Sequence, residues 1–219
     1  MPLAGMALFP AVWLGGILFV ISILLAGRFT PGYSYLHQSI SELGGRSAPC
    51  SRLLRWVGFV PFGLSFALFS LQTHGLFLNR FPSVLFLLMG FAIFIAGIFP
   101  TDPYNRRDTF SGKAHASAVI LLLFLLSLAP FALAFFALYR NPPPDWFFIF
   151  SISMGILGMG LLVMITKSGR QVPTTGLYQI AHGEFVHGLR SLHGLHQRIL
   201  LTLHSVWWLI FTIVLSRQS

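Results

Sequence analysis

Asp102 and His115 are the two residues of this 219-residue chain best placed for acid–base or metal chemistry. They belong to a polar hairpin running from Phe99 to His115, which lies between two long apolar runs and also holds Arg106, Arg107, Asp108 and Lys113. Asp102 directly follows the first run, near the negative end of a helix dipole, where a carboxylate needs a cation or donor beside it. Arg106 and Arg107 are the nearest cations in sequence. His115 falls in the first turn of the second run, where the positive end of the dipole favours a neutral ring that can accept a proton or ligate a metal. In a catalytic reading His115 is the general base or metal ligand, Asp102 orients it or shares the metal, Glu42 is a further acid, and Arg198 holds an anionic group.

Two other stretches carry chemistry-bearing residues. The segment Pro31 to Gly45 contains Ser39, Ser41 and Glu42, with His37 close by. A serine nucleophile needs a base within hydrogen-bonding distance, and no nucleophile-elbow motif is present, so the favoured reading is a short helix capped by Ser39 or Ser41, assisted by Glu42 and ended by Gly44-Gly45. Ser39, Ser41, Arg198, Arg106 and Arg107 together form a candidate set for binding a lipid headgroup or small amphiphile. The last polar stretch supplies His182, His193 and His196, which would share an arc of about 60° on a continuous helix and so make a metal-ligand face. Gly183, Gly188 and Gly194 interrupt that helix, and surface histidines are the plainer reading. Haem held by His115 and His204 is disfavoured by their unequal depth, and ion-coupled transport by the absence of acids within the apolar runs. A divalent metal is the one cofactor kept open.

The elements that must position these residues are membrane spans. The chain is 55% hydrophobic and 9% charged, with a mean hydropathy of +0.78, far more apolar than a soluble domain. About 20 apolar residues cross a bilayer core, which gives six spans: Ala7 to Gly27, Trp56 to Thr73, Phe81 to Pro100, Ala114 to Tyr139, Trp146 to Thr166 and Ile199 to Ser216. The first is too long for a signal-peptide core and lacks a small-residue cleavage site after it, so it is expected to stay as a span. Pro10, Pro61 and Pro130 predict bends. Ser151, Gly155, Gly158 and Gly160, with Gly90 and Gly97, offer small faces for close helix contact. The loops after spans one, three and five share one face and carry eleven of the fourteen Lys and Arg residues, which places that face in the cytoplasm and both termini outside. The net charge of +9 therefore speaks of topology and anionic lipid, not nucleic acid.

The combination Tyr33-Ser34-Tyr35, Ser39-Ile40-Ser41-Glu42-Leu43-Gly44, Gly97-Ile98-Phe99-Pro100-Thr101-Asp102, Gly112-x-x-His115 and Gly194-Leu195-His196-Gln197-Arg198 resembles the domain-of-unknown-function family number 998. That resemblance implies six helices and a shared polar face, with Gln197 standing where a glutamate is expected, and implies no substrate or reaction. The expected architecture is thus all-α, a single six-span bundle over residues 1–219 in the cell membrane, with membrane lipids as partners and a homo-oligomer or another membrane protein as a further one. The expected function is non-catalytic binding of a lipid headgroup or small amphiphile at the cytoplasmic face, with a membrane-embedded lipid-modifying enzyme and a passive transporter as alternatives. Cys50, the sole thiol, tests the orientation. An impermeant maleimide should label it only after permeabilisation, with denatured protein as the accessibility control; labelling in intact cells would reverse the topology.

Overall fold

The computed structural model describes residues 9–73, 76–102, 109–139, 141–169 and 192–217. Its helices are α1 (Phe9–Arg28), the single-turn α2 (Ile40–Leu43), α3 (Ser51–Thr73), α4 (Phe81–Ile98), α5 (Phe110–Phe136), α6 (Asp145–Gly169) and α7 (His193–Ser216). All but α2 are long and apolar enough to cross a membrane, and no strand occurs among the described residues. The protein is a multi-pass, all-α membrane protein.

The helices start earlier than hydropathy alone indicates. α3 begins at Ser51 instead of Trp56, α5 at Phe110 instead of Ala114, and α7 at His193 instead of Ile199. Helix continues past the apolar window because caps and polar side chains satisfy the terminal backbone groups there. Arg55, Lys113 and Arg198 consequently sit on helices, one or two turns inside their ends.

Proline shapes α3. Pro61 removes one N–H and crowds the preceding turn, and the residues just before it, Leu54–Phe59, form a π-helical stretch. Pro130 lies within α5, which stays helical through it.

Neighbouring spans pack in order, α1 on α3, α3 on α4, α4 on α5, α5 on α6 and α6 on α7. The centre is aromatic. Trp208 of α7 meets Phe66 of α3 and Phe86 of α4, each with ring centroids 5.1 Å apart, while Trp207 stacks on Phe211 and donates Nε1–H to Ser151 Oγ of α6 at 3.0 Å. In a bilayer such packing and the interhelical hydrogen bond hold helices together, since lipid tails are as apolar as the core. On the face opposite the long loops, Leu78 N–H donates to Leu138 O at 2.6 Å and Asn79 closes the end of α5 by donating to Phe136 O at 2.7 Å.

Glycines set the closest approach. A Cβ on Gly63 would lie 2.6 Å from Phe94 N and 2.8 Å from Gly90 O, so α3 and α4 touch backbone to backbone. Gly155 and Gly158 likewise admit Phe131 and His204, whereas Gly160, read from sequence as part of the same small face, borders open space. Gly63→Ala should therefore destabilise the protein by about 1–3 kcal/mol through overpacking. Gly160→Ala should leave stability unchanged or raise it slightly. Thermal unfolding in detergent compares the two.

Candidate functional site

Two clasps of different chemistry are built at the loop face of the bundle. The first joins α7 to the loop after α1. Ser39 begins α2, and its backbone N–H and Oγ–H donate to Glu42 Oε1 at 2.9 and 3.1 Å, with Gln38 Nε2 donating to Glu42 Oε2 at 3.2 Å. Glu42 thus closes a capping box. Arg198 reaches across from α7: its Nη1 donates to Tyr35 O at 2.6 Å, Gln38 O at 3.0 Å and Gly194 O at 2.9 Å, and its Nη2 donates to the Tyr33 hydroxyl. The guanidinium also lies 5.7 and 5.2 Å from the ring centroids of Tyr33 and Tyr35. Burial pushes the Tyr33 phenol up to about 12, against the opposing pull of Arg198. Beside Arg198, Gln197 Oε1 accepts from Ile40 N at 2.9 Å, and Leu195 N–H donates to Leu36 O at 2.9 Å. A Cβ on Gly194 would run into Gln38 O, which explains a glycine at this crossing.

The second clasp joins α4 to α5. Asp102, read from sequence against the negative end of α4, instead lies at the positive end of α5. Its carboxylate accepts from Thr109 N at 3.1 Å and from Thr109 Oγ1 at 2.7 Å, and Thr109 Oγ1 in turn accepts from Gly112 N at 3.1 Å. This is an N-cap extended by one carboxylate, which the dipole favours. Among the described residues the cation paired with Asp102 is Arg46, Nε to Oδ1 at 3.7 Å, half-exposed and so a weak contributor. Arg106 and Arg107 lie outside the described residues.

His115 and Asp102 do not hydrogen-bond to each other. The His115 ring is 2% exposed, and its Nδ1 lies 2.9 Å from Ala96 O and 2.8 Å from Phe99 O. Carbonyls only accept, so Nδ1 carries the proton; Nε2 is buried with no partner among the described residues. Arg55 donates from Nε to Gly97 O at 2.9 Å and from Nη2 to Ile98 O, and Ser111 Oγ donates to Pro100 O at 2.9 Å. The carbonyl end of α4 is thereby closed by side chains from α3 and α5.

Two of the three candidate metal ligands fall among the described residues. His196 is buried on α7 near its start, His193 begins that helix, and His182 lies outside the described residues. Among the described residues no group of three or more His, Cys, Asp or Glu side chains is close enough to share an ion. His204 Nδ1 lies 2.8 Å from Leu200 O of its own helix and its ring packs on Gly158, in surroundings separate from those of His115.

Sequence reasoning missed a cavity of about 650 Å³ between α1 and α7, directly below the first clasp and open on one side. Apolar side chains make most of its wall, among them Ile17 and Val20 of α1, Phe62 of α3, Leu122 of α5 and Leu201 and Trp208 of α7. Its polar end is formed by Tyr35, Ser41, Gln197 and Arg198. Ser41 and Arg198 thus meet at one site, while Ser39 and Glu42 serve the cap beside it.

Six spans, with polar caps at the loop face and a lateral cavity beneath them, define a helical membrane protein. A family model described as a protein of unknown function, DUF998, matches residues 13–214, and the chain belongs to that family. Neither the curated proteins nor the solved structures yielded a match.

The Asp102–Thr109 relay gives a direct expectation. Asp102→Ala and Thr109→Val should each cost about 1–2 kcal/mol of stability as lost caps. Because both act through one relay, the double variant should cost clearly less than the sum. Denaturant unfolding in micelles measures the cycle; additive losses would mean that the two side chains act separately.

Proposed function

We propose that this chain is a non-catalytic protein of the cell membrane that holds a membrane amphiphile in the cavity between α1 and α7. The head lies at the loop face beside Arg198 and Ser41, and the tail runs down the apolar wall. The observation that carries this reading is the cavity itself, whose about 650 Å³ falls within the roughly 300–1,000 Å³ of small-molecule sites and whose mostly apolar wall meets Arg198, Gln197 and Ser41 at the loop-face end. Its depth supports the same reading. The wall extends from Gln197 to Trp208 on α7 and from Leu24 to Trp13 on α1, about 16 Å at 1.5 Å per residue. That is about half of a 30 Å hydrocarbon core, the reach of a chain belonging to one leaflet. The cationic excess of the loop face supports the cytoplasmic leaflet as that one.

The non-catalytic assignment is supported by the residues that looked most reactive. Asp102 turns its carboxylate to Thr109 and Arg46, and His115 turns Nδ1 to Ala96 and Phe99. The Asp102 contacts are complete without a substrate, and the His115 Nδ1 proton is committed to backbone carbonyls.

Gly16 provides the test. It lines the cavity, and a Cβ there meets only the Phe62 ring, at an ordinary 3.7 Å. Gly16→Phe should fill the site without prising helices apart. Native mass spectrometry of protein extracted in mild detergent should show a bound amphiphile on the parent chain and several-fold less on the variant, with the thermal midpoint unchanged. Equal retention by the two proteins would overturn the reading.

A further inference from the structure

The polar end of the cavity has a definite sign. Gln197 Oε1 accepts the Ile40 N–H, and because a backbone N–H can only donate, the amide is fixed with its NH₂ group turned away from that contact. Neither that amide nitrogen nor the Ser41 hydroxyl has a hydrogen-bond partner among the described residues, although both side chains line the cavity. Arg198 is permanently charged. Its partners among the described residues are three backbone carbonyls, the Tyr33 hydroxyl and two aromatic rings, all of them neutral. Its Nε–H makes no hydrogen bond there. No Asp or Glu lines the cavity. At the mouth, what remains among the described residues is the Arg198 charge, two amide N–H donors and one hydroxyl; below them runs a mostly apolar shaft about one leaflet deep, whose wall also includes Thr202, His204 and Ser205.

We infer that the ligand is an anionic amphiphile: a carboxylate or phosphate monoester head held by Arg198, Gln197 and Ser41, with an alkyl tail extending along α1 and α7 towards Trp208. This rests on the cavity being an amphiphile site and goes further by fixing the charge of the head. A carboxylate or phosphate accepts from several donors at once and neutralises a guanidinium in a low-dielectric setting, where such charge-assisted bonds are about twice as strong as neutral ones. An alcohol head brings no charge to the guanidinium and forms only the weaker, neutral-acceptor bond.

The probes are palmitate, hexadecyl phosphate and hexadecanol, which share a chain and differ in head. Each is titrated into delipidated protein in micelles and followed by native mass spectrometry and by quenching of tryptophan fluorescence, since Trp208 lines the shaft. At least one anion should bind about tenfold tighter than hexadecanol, the difference expected from one charge-assisted bond. Preference for palmitate identifies a carboxylate head, and preference for hexadecyl phosphate identifies a phosphate head. Arg198 also holds the loop in place, so the site variant is Ser41→Asp, which puts a negative charge at the mouth without removing a hydrogen bond among the described residues. It should weaken the anions about tenfold more than it weakens hexadecanol. If hexadecanol binds as tightly as both anions, or if Ser41→Asp weakens all three probes equally, the anionic head is wrong while the cavity reading stands. If Gly16→Phe fails to weaken any of the three, the cavity reading itself is wrong.

Discussion

The guanidinium of Arg198 is the contact on which the loop face depends. The segment from Tyr33 to Ser39 turns over the end of the bundle with its carbonyls directed inward, where water is scarce and an unsatisfied backbone group costs several kcal/mol. A planar fork with five N–H donors can serve several such carbonyls from one side chain, and Arg198 serves those of Tyr35, Gln38 and Gly194 together with the Tyr33 hydroxyl. A lysine, with a single point of charge, has no equivalent geometry. This one side chain ties the first span to the last at the loop face. Below that tie the two helices leave the cavity between them, so the clasp both closes the bundle and roofs the space beneath it.

The same physics accounts for the hairpin between α4 and α5. A helix that ends close to hydrocarbon must find donors for its last four carbonyls and acceptors for its first four N–H groups. At the end of α4 the donors are His115, Arg55 and Ser111; at the start of α5 the acceptors are Thr109 and, through it, Asp102. An acid and a histidine thirteen residues apart thus serve two different helix ends, and their nearness in sequence reflects the shortness of the connection. Gly112 belongs to the same arrangement, since a Cβ there would overlap the Asp102 carboxylate.

Much of this was legible in the sequence, for identifiable reasons. Runs of apolar residues with no competing signal announce spans, and all six are helices of the expected length class. Ser39, Glu42 and Gly44 stand at the spacings that a short capped helix requires, and those are the positions they take. Asp102 was harder. Its neighbour in sequence is the end of α4, but its partner is Thr109, and the signal available was the Thr-Phe-Ser-Gly run that announces an N-cap ahead of an apolar stretch. Gln197 looked like a departure from an expected acid, and its use is as an acceptor for Ile40 N–H, a task that an amide oxygen does as well as a carboxylate. The cavity left no mark at all. In a span the residues that face lipid, a neighbouring helix or an empty groove are all apolar, so Ile17, Val20 and Leu201 read identically in each case.

Function in such a protein is found by subtraction. Near a membrane face every backbone group and every charge seeks a partner, so most polar side chains are accounted for by the fold, as Glu42, Asp102 and Arg55 are here. What the fold leaves over is therefore informative in a way that the mere presence of a histidine or an acid is not. Three groups meet at one place: the spare amide N–H groups of Gln197, the hydroxyl of Ser41 and the guanidinium of Arg198, whose hydrogen-bond partners among the described residues are all neutral. They lie above an apolar shaft. A cation gains nothing there, and a wholly apolar guest would leave the charge buried beneath it without an answer. A guest with one anionic end and one alkyl end satisfies both halves of the site, and the leaflet against which the cavity opens is made of molecules built on that plan.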